Sequence, residues 1–315
     1  MGSTTPAVIA MQTPPTFSRV LIANRGAIAC RIARTLRSMG LTSVGVYSDA
    51  DRGSAHVDAL DVAIHMPGDR AAVTYLNGEA LIEIARTNAV GAIHPGYGFL
   101  AENPAFAEAC EAAGIVFLGP RPDSMRAFGL KDSARMLAEF MEVPVLTGSA
   151  VLPDVDSAVA AAARIGYPVM LKSTAGGGGI GMQVCADEAS LRPAFASVTR
   201  LAQSSFGDAG VILERYVADA RHIEVQLFGQ GDGRVCVLGD RDCSLQRRNQ
   251  KVVEEAPAPG LSASLRAEMH AAARRLLAGR SLSVCGHSRV SVRRAERDVL
   301  LSGSECATAG GTRCH

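Results

Sequence analysis

Tryptophan is absent from the 315 residues, aromatic residues make up 4%, and lysine occurs only at Lys131, Lys172 and Lys251, the other 29 of the 32 basic residues being arginine. So few aromatic rings exclude a base-stacking platform, and a net charge of +1 excludes a nucleic-acid or anionic-membrane footprint. No run of 18 apolar residues is present, which excludes a membrane-spanning helix. Residues 1–16 lack a basic region followed by an apolar core, so no signal peptide is expected there. Pro6 spoils a myristoylation match after Gly2, and the segment is expected to be a disordered leader. The eight cysteines show no CxxC pair or metal-ligand spacing. Buried, reduced thiols in a cytoplasmic protein are expected. What is present is an apolar fraction of 48%, enough for one to three globular domains.

Residues 17–129 read as α/β. Strands are expected at Val20–Ala23, Val44–Tyr47, Ala89–Ile93 and Ile115–Leu118, with helices at Ile28–Met39, Glu79–Arg86 and Ala105–Ala113. Such alternation predicts a parallel, doubly wound sheet. Helix Lys131–Glu142 follows, and from Pro144 the pattern becomes α+β. Helix Val155–Ile165 leads to strand Val169–Lys172, a glycine loop and strand Met182–Cys185. Asp187 caps helix Ala189–Leu201. Strands Gly210–Glu214 and His222–Phe228 come next, then a hairpin turn at Asp232-Gly233 and a return strand Arg234–Leu238. From Arg280 the chain changes character: six Arg face three acidic residues, three of the eight Cys occur there, and no amphipathic period survives.

Arginine is a planar fork and lysine a compact point charge, so in an arginine-dominated chain each lysine asks for a reason. Lys172 ends a strand that enters a glycine loop, Gly176-Gly177-Gly178-Gly179 with Gly181 beyond it. The loop satisfies G-x-G-x-x-G but lies between strands and opens no helix, so it is no dinucleotide fingerprint. Its backbone N–H groups can fold over a triphosphate, and the alternative is an ordinary flexible turn. Glu214 precedes an extended segment suited to an adenine amine, and its structural and functional readings stand level. His222 alone is more often structural. The stretch 247–251 carries Arg247, Arg248, Gln250 and Lys251. Read as one strand, it puts Arg247, Asn249 and Lys251 on one face and points to an oxyanion site, with Val252-Val253 running on into core. A solvated charged edge is the alternative.

IANRGAIACRIART (22–35), AIHPGYGFLAENPAF (92–106), KSTAGGGGIGM (172–182), ERYVADARHIEVQ (214–226) and RDCSLQRRNQKVVEEAPAPG (241–260) together resemble the biotin carboxylase domain of biotin-dependent carboxylases, an ATP-grasp enzyme. The resemblance covers about 17–279. FGLKDSAR (128–135) and the glycine loop are most similar to the urea carboxylase (urea amidolyase) branch. The acetyl-CoA, propionyl-CoA and pyruvate carboxylases are the alternative, and a non-catalytic nucleotide-binding remnant is a further one. The resemblance implies a Rossmann-like pre-ATP-grasp domain at 17–129 and an incomplete ATP-grasp domain at 130–279, with a lid at about 144–216. It also implies a ligase that uses ATP and Mg2+ to activate bicarbonate as carboxyphosphate for carboxylation of biotin. The biotin would sit on a carrier domain, with a carboxyltransferase domain and a homodimer as further partners. Lys131 and Lys172 would hold the phosphates and Gly176, Gly177, Gly178, Gly179 and Gly181 the lid. Glu214, Arg215, Tyr216 and Val217 would frame the adenine, while His222 and Asn249 contact the nucleotide. Lys251 would bind bicarbonate, with Arg248 beside it. Ala27, Asn249 and Arg215 stand where relatives often have Glu, His and Lys.

The resemblance further implies metal-binding carboxylates in TVEF and FxFLEVNxRLQVEH motifs after the last helix, and neither motif is present. A one-base shift of reading frame can turn 287–292 into TVEFLF and 299–315 into FYFLEVNARLQVEHGV, for example GTT CTA CTT TCT GGA AGT GAA into TTC TAC TTT CTG GAA. Residues 280–315 are therefore expected to be a frameshifted tail that supplies no metal ligand.

Overall fold

The computed structural model describes residues 17–129, 131–174, 181–206, 209–218, 220–229, 234–247 and 250–278, and the backbone of 285–293 and 299–305. The expected leader at 1–16, the hairpin turn at Asp232-Gly233, Gly176 to Gly179, Arg248 and Asn249 lie outside the described residues. The chain divides into two compact units, 1–100 with 108–118, and 101–107 with 119–315.

In the first unit β1 (Arg19–Ile22), α1 (Gly26–Ser38), β2 (Thr42–Tyr47), α2 (Ala55–Ala59), β3 (Val62–His65), α3 (Gly78–Thr87), β4 (Ala92–His94), the part of α4 (Pro104–Ala112) from residue 108 on, and β5 (Val116–Phe117) follow one another. The sheet is parallel, in the order β3-β2-β1-β4-β5. Val20, Leu21 and Ile22 are buried in succession because helices cover a parallel sheet on both faces. The stripe Ile28, Ile32 and Leu36 of α1 packs on Val20, Ile22 and Ala92. The parallel α/β reading holds, and β3 is an additional strand that the sequence reading did not name. After β4 the chain turns sharply. Asn24 donates to the Pro95 and Tyr97 carbonyls at 2.7 and 2.8 Å. Gly96 has φ +68°, and a Cβ there would lie 2.7 Å from Asn24 Nδ2. Burial pushes the His94 imidazole down to about 4. The ring is therefore neutral at pH 7, and its Nδ1 accepts the Gly96 N–H at 3.0 Å.

The second unit begins with α5 (Pro122–Gly129), α6 (Lys131–Phe140) and α7 (Val155–Ile165). β6 (Val169–Ser173), β7 (Met182–Cys185), α8 (Glu188–Phe206) and β8 (Val211–Arg215) come next. The antiparallel sheet β7-β6-β8 buries Val169, Leu171, Val211 and Leu213 under α7 and α8. Asp154 and Asp187 accept the Ser157 and Ser190 N–H groups as N-caps, the second as expected.

β9 (Ala220–Gly229), β10 (Val235–Arg247), β11 (Gln250–Glu255), α9 (Ala263–Ala278), β12 (Cys285–Arg293) and β13 (Val299–Glu305) complete the unit. Their sheet is antiparallel, in the order β11-β10-β9-β12-β13. Period two sorts β9: Ile223, Val225 and Leu227 face a core with Met269 and Leu276 of α9 and Phe128 of α5, while His222, Glu224 and Gln226 take the other face. β10 carries one extra residue between Val237 and Gly239, so that Val237 pairs with Leu227, Asp240 with Val225 and Arg241 with Glu224. This bulge reverses the parity of the strand.

Asp240 therefore faces α9. Its carboxylate accepts from the Ala258 N–H at 2.8 Å and His270 Nε2 at 2.9 Å and forms an ion pair with Arg266, Nε lying 2.9 Å away. Asp240→Ala is expected to destabilise the protein by about 3 kcal/mol, because it orphans a buried N–H and takes the carboxylate away from Arg266 and His270. Asp240→Asn keeps an acceptor and should cost about half as much, which urea unfolding followed by circular dichroism will measure.

Three expectations are corrected. Residues 247–251 are not one strand: Arg247 pairs with Gln250 and Gln246 with Lys251 across a hairpin, so the predicted face alternation does not apply. Val252 and Val253 do not enter the core but are 63% and 51% exposed, because β11 is an edge strand paired only with β10. The region after residue 280, where no periodic element was expected, forms β12 and β13. Alternating Val290 and Val292 suit a strand, and β9 has a second edge whose backbone groups need partners.

Candidate functional site

Two polar constellations occupy the second unit. The first lies on the sheet face opposite the α7–α8 core. Lys172 of β6 pairs with Ile212 of β8 while Met170 pairs with Glu214, so Lys172 and Glu214 are diagonal neighbours on one face. Both are buried, and Lys172 Nζ donates to Glu214 Oε2. A buried ammonium without a partner would be costly, and this carboxylate removes that cost while no ligand is bound.

Around them the ends of the glycine loop are fixed. The Ser173 N–H donates to the Gly181 carbonyl at 2.9 Å, and the Thr174 N–H to the Gly210 carbonyl at 2.9 Å. Gly181 has φ +71°, and a Cβ there would meet Ser173 Oγ at 2.8 Å, so the loop closes onto this base only through glycine. Lys131, the first residue of α6, is brought to the same point. Its N–H donates to Thr174 O at 3.2 Å and its Nζ to Ser173 O at 2.9 Å. Two of the three lysines thus converge on one loop base from helix and strand. Arg215, Tyr216 and Val217 leave the end of β8, the N–H groups of the first two anchored on the Thr147 and Pro168 carbonyls.

The second constellation lies on the polar face of β9 and centres on Glu224, which is fully buried. Arg241 donates to Glu224 Oε2 at 3.0 Å and to Gln226 Oε1 at 3.1 Å. Lys251 Nζ lies 2.5 Å from Glu224 Oε1 and 3.4 Å from Glu254 Oε1. His222 stands two residues from Glu224 on the same face, with Gln246 Nε2 donating to its Nδ1 at 3.2 Å and its own N–H donating to Ser244 Oγ at 3.0 Å. Burial pushes the nearby Cys243 thiol up to about 12, with the Glu224 carboxylate adding to the effect, so this thiol is no nucleophile at neutral pH. Burial also raises Asp242, but Ser244 and Arg221 outweigh it and hold that carboxyl below its usual range.

The structure brings together Lys172 with Glu214, Lys131 with the base of the Gly181 loop, and His222 with Lys251 through the polar face of β9. Sequence reading missed Glu224, Arg241, Gln246 and Glu254. One signal for Glu224 was available: period two in HIEVQ puts it on the face of His222. Arg241 carried no such signal, because the bulge breaks the period before it.

Divalent metals want several oxygen ligands. Among the described residues no group of three or more His, Cys, Asp or Glu side chains is placed to hold one. Arg289 of β12 pairs on one side with Glu224 and on the other with Gly303 of β13. Across β10, β9, β12 and β13 the row reads Arg241, Glu224, Arg289, Gly303, with a single carboxylate that already serves Arg241 and Lys251. These residues do not fit Mg2+.

Residues 16–125 match the family model described as the biotin carboxylase N-terminal domain, and 131–295 that of the carbamoyl-phosphate synthase L chain ATP-binding domain. The urea amidolyase of Saccharomyces cerevisiae is 51% identical over 260 residues, which are 82% of this chain and 14% of that protein. A biotin carboxylase from Campylobacter jejuni, solved as a β-γ-ATP complex, is 38% identical with a TM-score of 0.90, covering 92% of this chain and 65% of that one. The biotin carboxylase domain dimer of the Hydrogenobacter thermophilus 2-oxoglutarate carboxylase, solved with MgADP, ADP and bicarbonate, is 36% identical with a TM-score of 0.89, covering 92% and 64%. The chain thus spans less than two thirds of each of these relatives.

Proposed function

The chain belongs to the biotin carboxylase family, and from that premise we propose that its second unit is built to bind ATP and bicarbonate for the carboxylation of biotin held on a carrier domain. The observation that carries this reading is the convergence of Lys131 and the Lys172–Glu214 pair on the base of the glycine loop. In the empty site Glu214 neutralises Lys172. An arriving polyphosphate offers denser negative charge and competes for the ammonium. Released from Lys172, the Glu214 carboxylate becomes an acceptor for an exocyclic amine, and the chain running on through Arg215, Tyr216 and Val217 supplies backbone groups to the same base. Gly176, Gly177, Gly178 and Gly179 belong to the lid over the phosphates.

On the polar face of β9, Glu224 and Glu254 hold the Lys251 ammonium in place, which has three donors to offer. Lys251 is the group proposed to take bicarbonate together with Arg248, and His222 and Asn249 are proposed to contact the nucleotide. In the reaction a bicarbonate oxygen forms a bond to the γ-phosphorus, the bond from that phosphorus to the ADP oxygen breaks, and ADP leaves with the electron pair. The residues described here hold the two reactants and their charges, and no step through a divalent metal is derived for them. Residues 17–129 act as the N-terminal domain and 130–279 as the ATP-grasp domain with its lid at about 144–216.

Identity to urea amidolyase of 51%, over the stretch that holds both constellations, supports the urea carboxylase branch. A carboxyltransferase domain and a homodimer are further proposed partners. No helix among the described residues is long and apolar enough to cross a membrane. The five described cysteines are free, which suits the reducing cytoplasm.

Nucleotide binding tests the reading. By isothermal titration with ADP, Lys172→Met is expected to weaken affinity about 10- to 100-fold, the worth of one charge-assisted contact. Lys131→Met leaves the Lys172–Glu214 pair in place and should weaken it about tenfold while far-UV circular dichroism is unchanged. ADP binding unaffected by either substitution would remove the proposed phosphate site.

A further inference from the structure

We infer that residues 287–305 are translated one base out of the frame for which their strand positions are suited, and that this shift replaced a divalent-cation site by the Arg289–Gly303 row. The shift that turns 287–292 into TVEFLF and 299–305 into FYFLEVN puts new carboxylates at two positions only, 289 and 303. Both motifs are ones for which the resemblance implies metal-binding carboxylates, so the strands of this chain have to bring the two positions together. In the structure they are directly paired across β12 and β13, and 289 also pairs with Glu224 of β9.

The local irregularity makes the coincidence sharper. β12 and β13 pair as 287 with 305, 288 with 304 and 289 with 303, and the register then slips so that Val290 faces Leu301. A hairpin paired one residue further along would have separated 289 from 303. Directly opposed residues on an antiparallel pair have Cβ atoms about 5 Å apart. Two carboxylates at that distance repel unless a cation lies between them, and with a cation they form the start of an oxygen cage. Arg289 is always protonated and Gly303 brings no ligand atom, so the residues present reverse the charge of the row.

The inference rests on the proposed function for the meaning of the site, but its test does not. Reading the gene across codons 279–315 is expected to show glutamate codons at 289 and 303 in the frame displaced by one base. A displaced frame lacking either carboxylate overturns the inference whatever the protein binds. Protein made from both frames provides a second readout, ADP affinity with and without Mg2+. The present chain should change less than twofold on removal of Mg2+, and the displaced-frame chain at least tenfold. A tenfold Mg2+ effect in the present chain would also overturn the inference. If neither form binds ADP, the proposed nucleotide site fails while the codon result still decides the frame.

Discussion

Incubated with ATP, Mg2+, bicarbonate and free biotin, the purified 315-residue chain is expected to release phosphate at the buffer rate. In phosphoryl transfer the protein contributes positioning and electrostatics, and a bound divalent cation would neutralise the negative charge of the transferring group. That contribution is worth several kcal/mol. Its loss therefore slows the step about 1000-fold or more, from a typical kcat of about 10 s−1 to about 0.01 s−1 or below. Arg241, Lys251, Lys131 and Lys172 supply positive charge to hold anions, but their donors are fixed to Glu224, Glu254, Ser173 O and Glu214. Arg289 and Gly303 put no carboxylate in the row to recruit the missing ion. The measurement is a coupled phosphate assay with and without bicarbonate. Bicarbonate-dependent release at about 0.1 s−1 or faster would show that the cationic residues suffice, and would defeat the expectation. ADP binding should survive in the same preparation, so inactivity would not mean an unfolded protein.

Glu224→Ala is expected to be the most destabilising single substitution on the polar face of β9, by about 3–5 kcal/mol. The side chain has no exposure, and its two oxygens are divided between Arg241 and Lys251. Alanine leaves Arg241, itself 9% exposed, facing Lys251 with only Glu254 to balance two cations. Lys251 is more open to water and relieves part of that cost. Glu224→Gln keeps the shape and one of the two contacts, with its NH2 facing the other donor, and should cost about 2 kcal/mol. The triple change Glu224→Leu, Arg241→Met, Lys251→Met removes the charges together. Buried ion groups replaced whole by apolar residues are often no less stable, so this variant should recover most of the loss while binding no anion. Guanidinium unfolding midpoints at constant slope will rank the three. A Glu224→Ala loss below about 1 kcal/mol would mean that water reaches the cluster.

Much of the first unit was legible because burial on both faces leaves unbroken apolar runs such as Val20 to Ile22, with helical stripes between them. β3 escaped because Val62–His65 is short and half-buried, so its apolar residues mark no clear period. In the second unit the lysines stood out by rarity, and Lys131 and Lys172 do meet at one loop base. Their carboxylate partners were harder to see. Glu214 lies 42 residues from Lys172 and meets it only through the β6–β8 register, which local patterning does not encode. Lys251 was noticed, but the residues around it were read as one strand where the chain turns back between Arg247 and Gln250. The tail looked structureless because its composition is foreign, whereas strand formation there follows from the open edge of β9.

One residue of slack in β10 governs more than its own strand. Because the bulge precedes Asp240 and Arg241, a single count decides that the acid turns inward to hold α9 and the base turns outward to hold Glu224. Were Leu238 to take its turn in the ladder instead of standing out of it, Asp240 would stand opposite Glu224 and Arg241 opposite Ile223, presenting a carboxylate to Glu224 and pressing a guanidinium against the Met269–Leu276 core. Helix docking and the charge of the anion-binding face thus both rest on the one residue that stays unpaired.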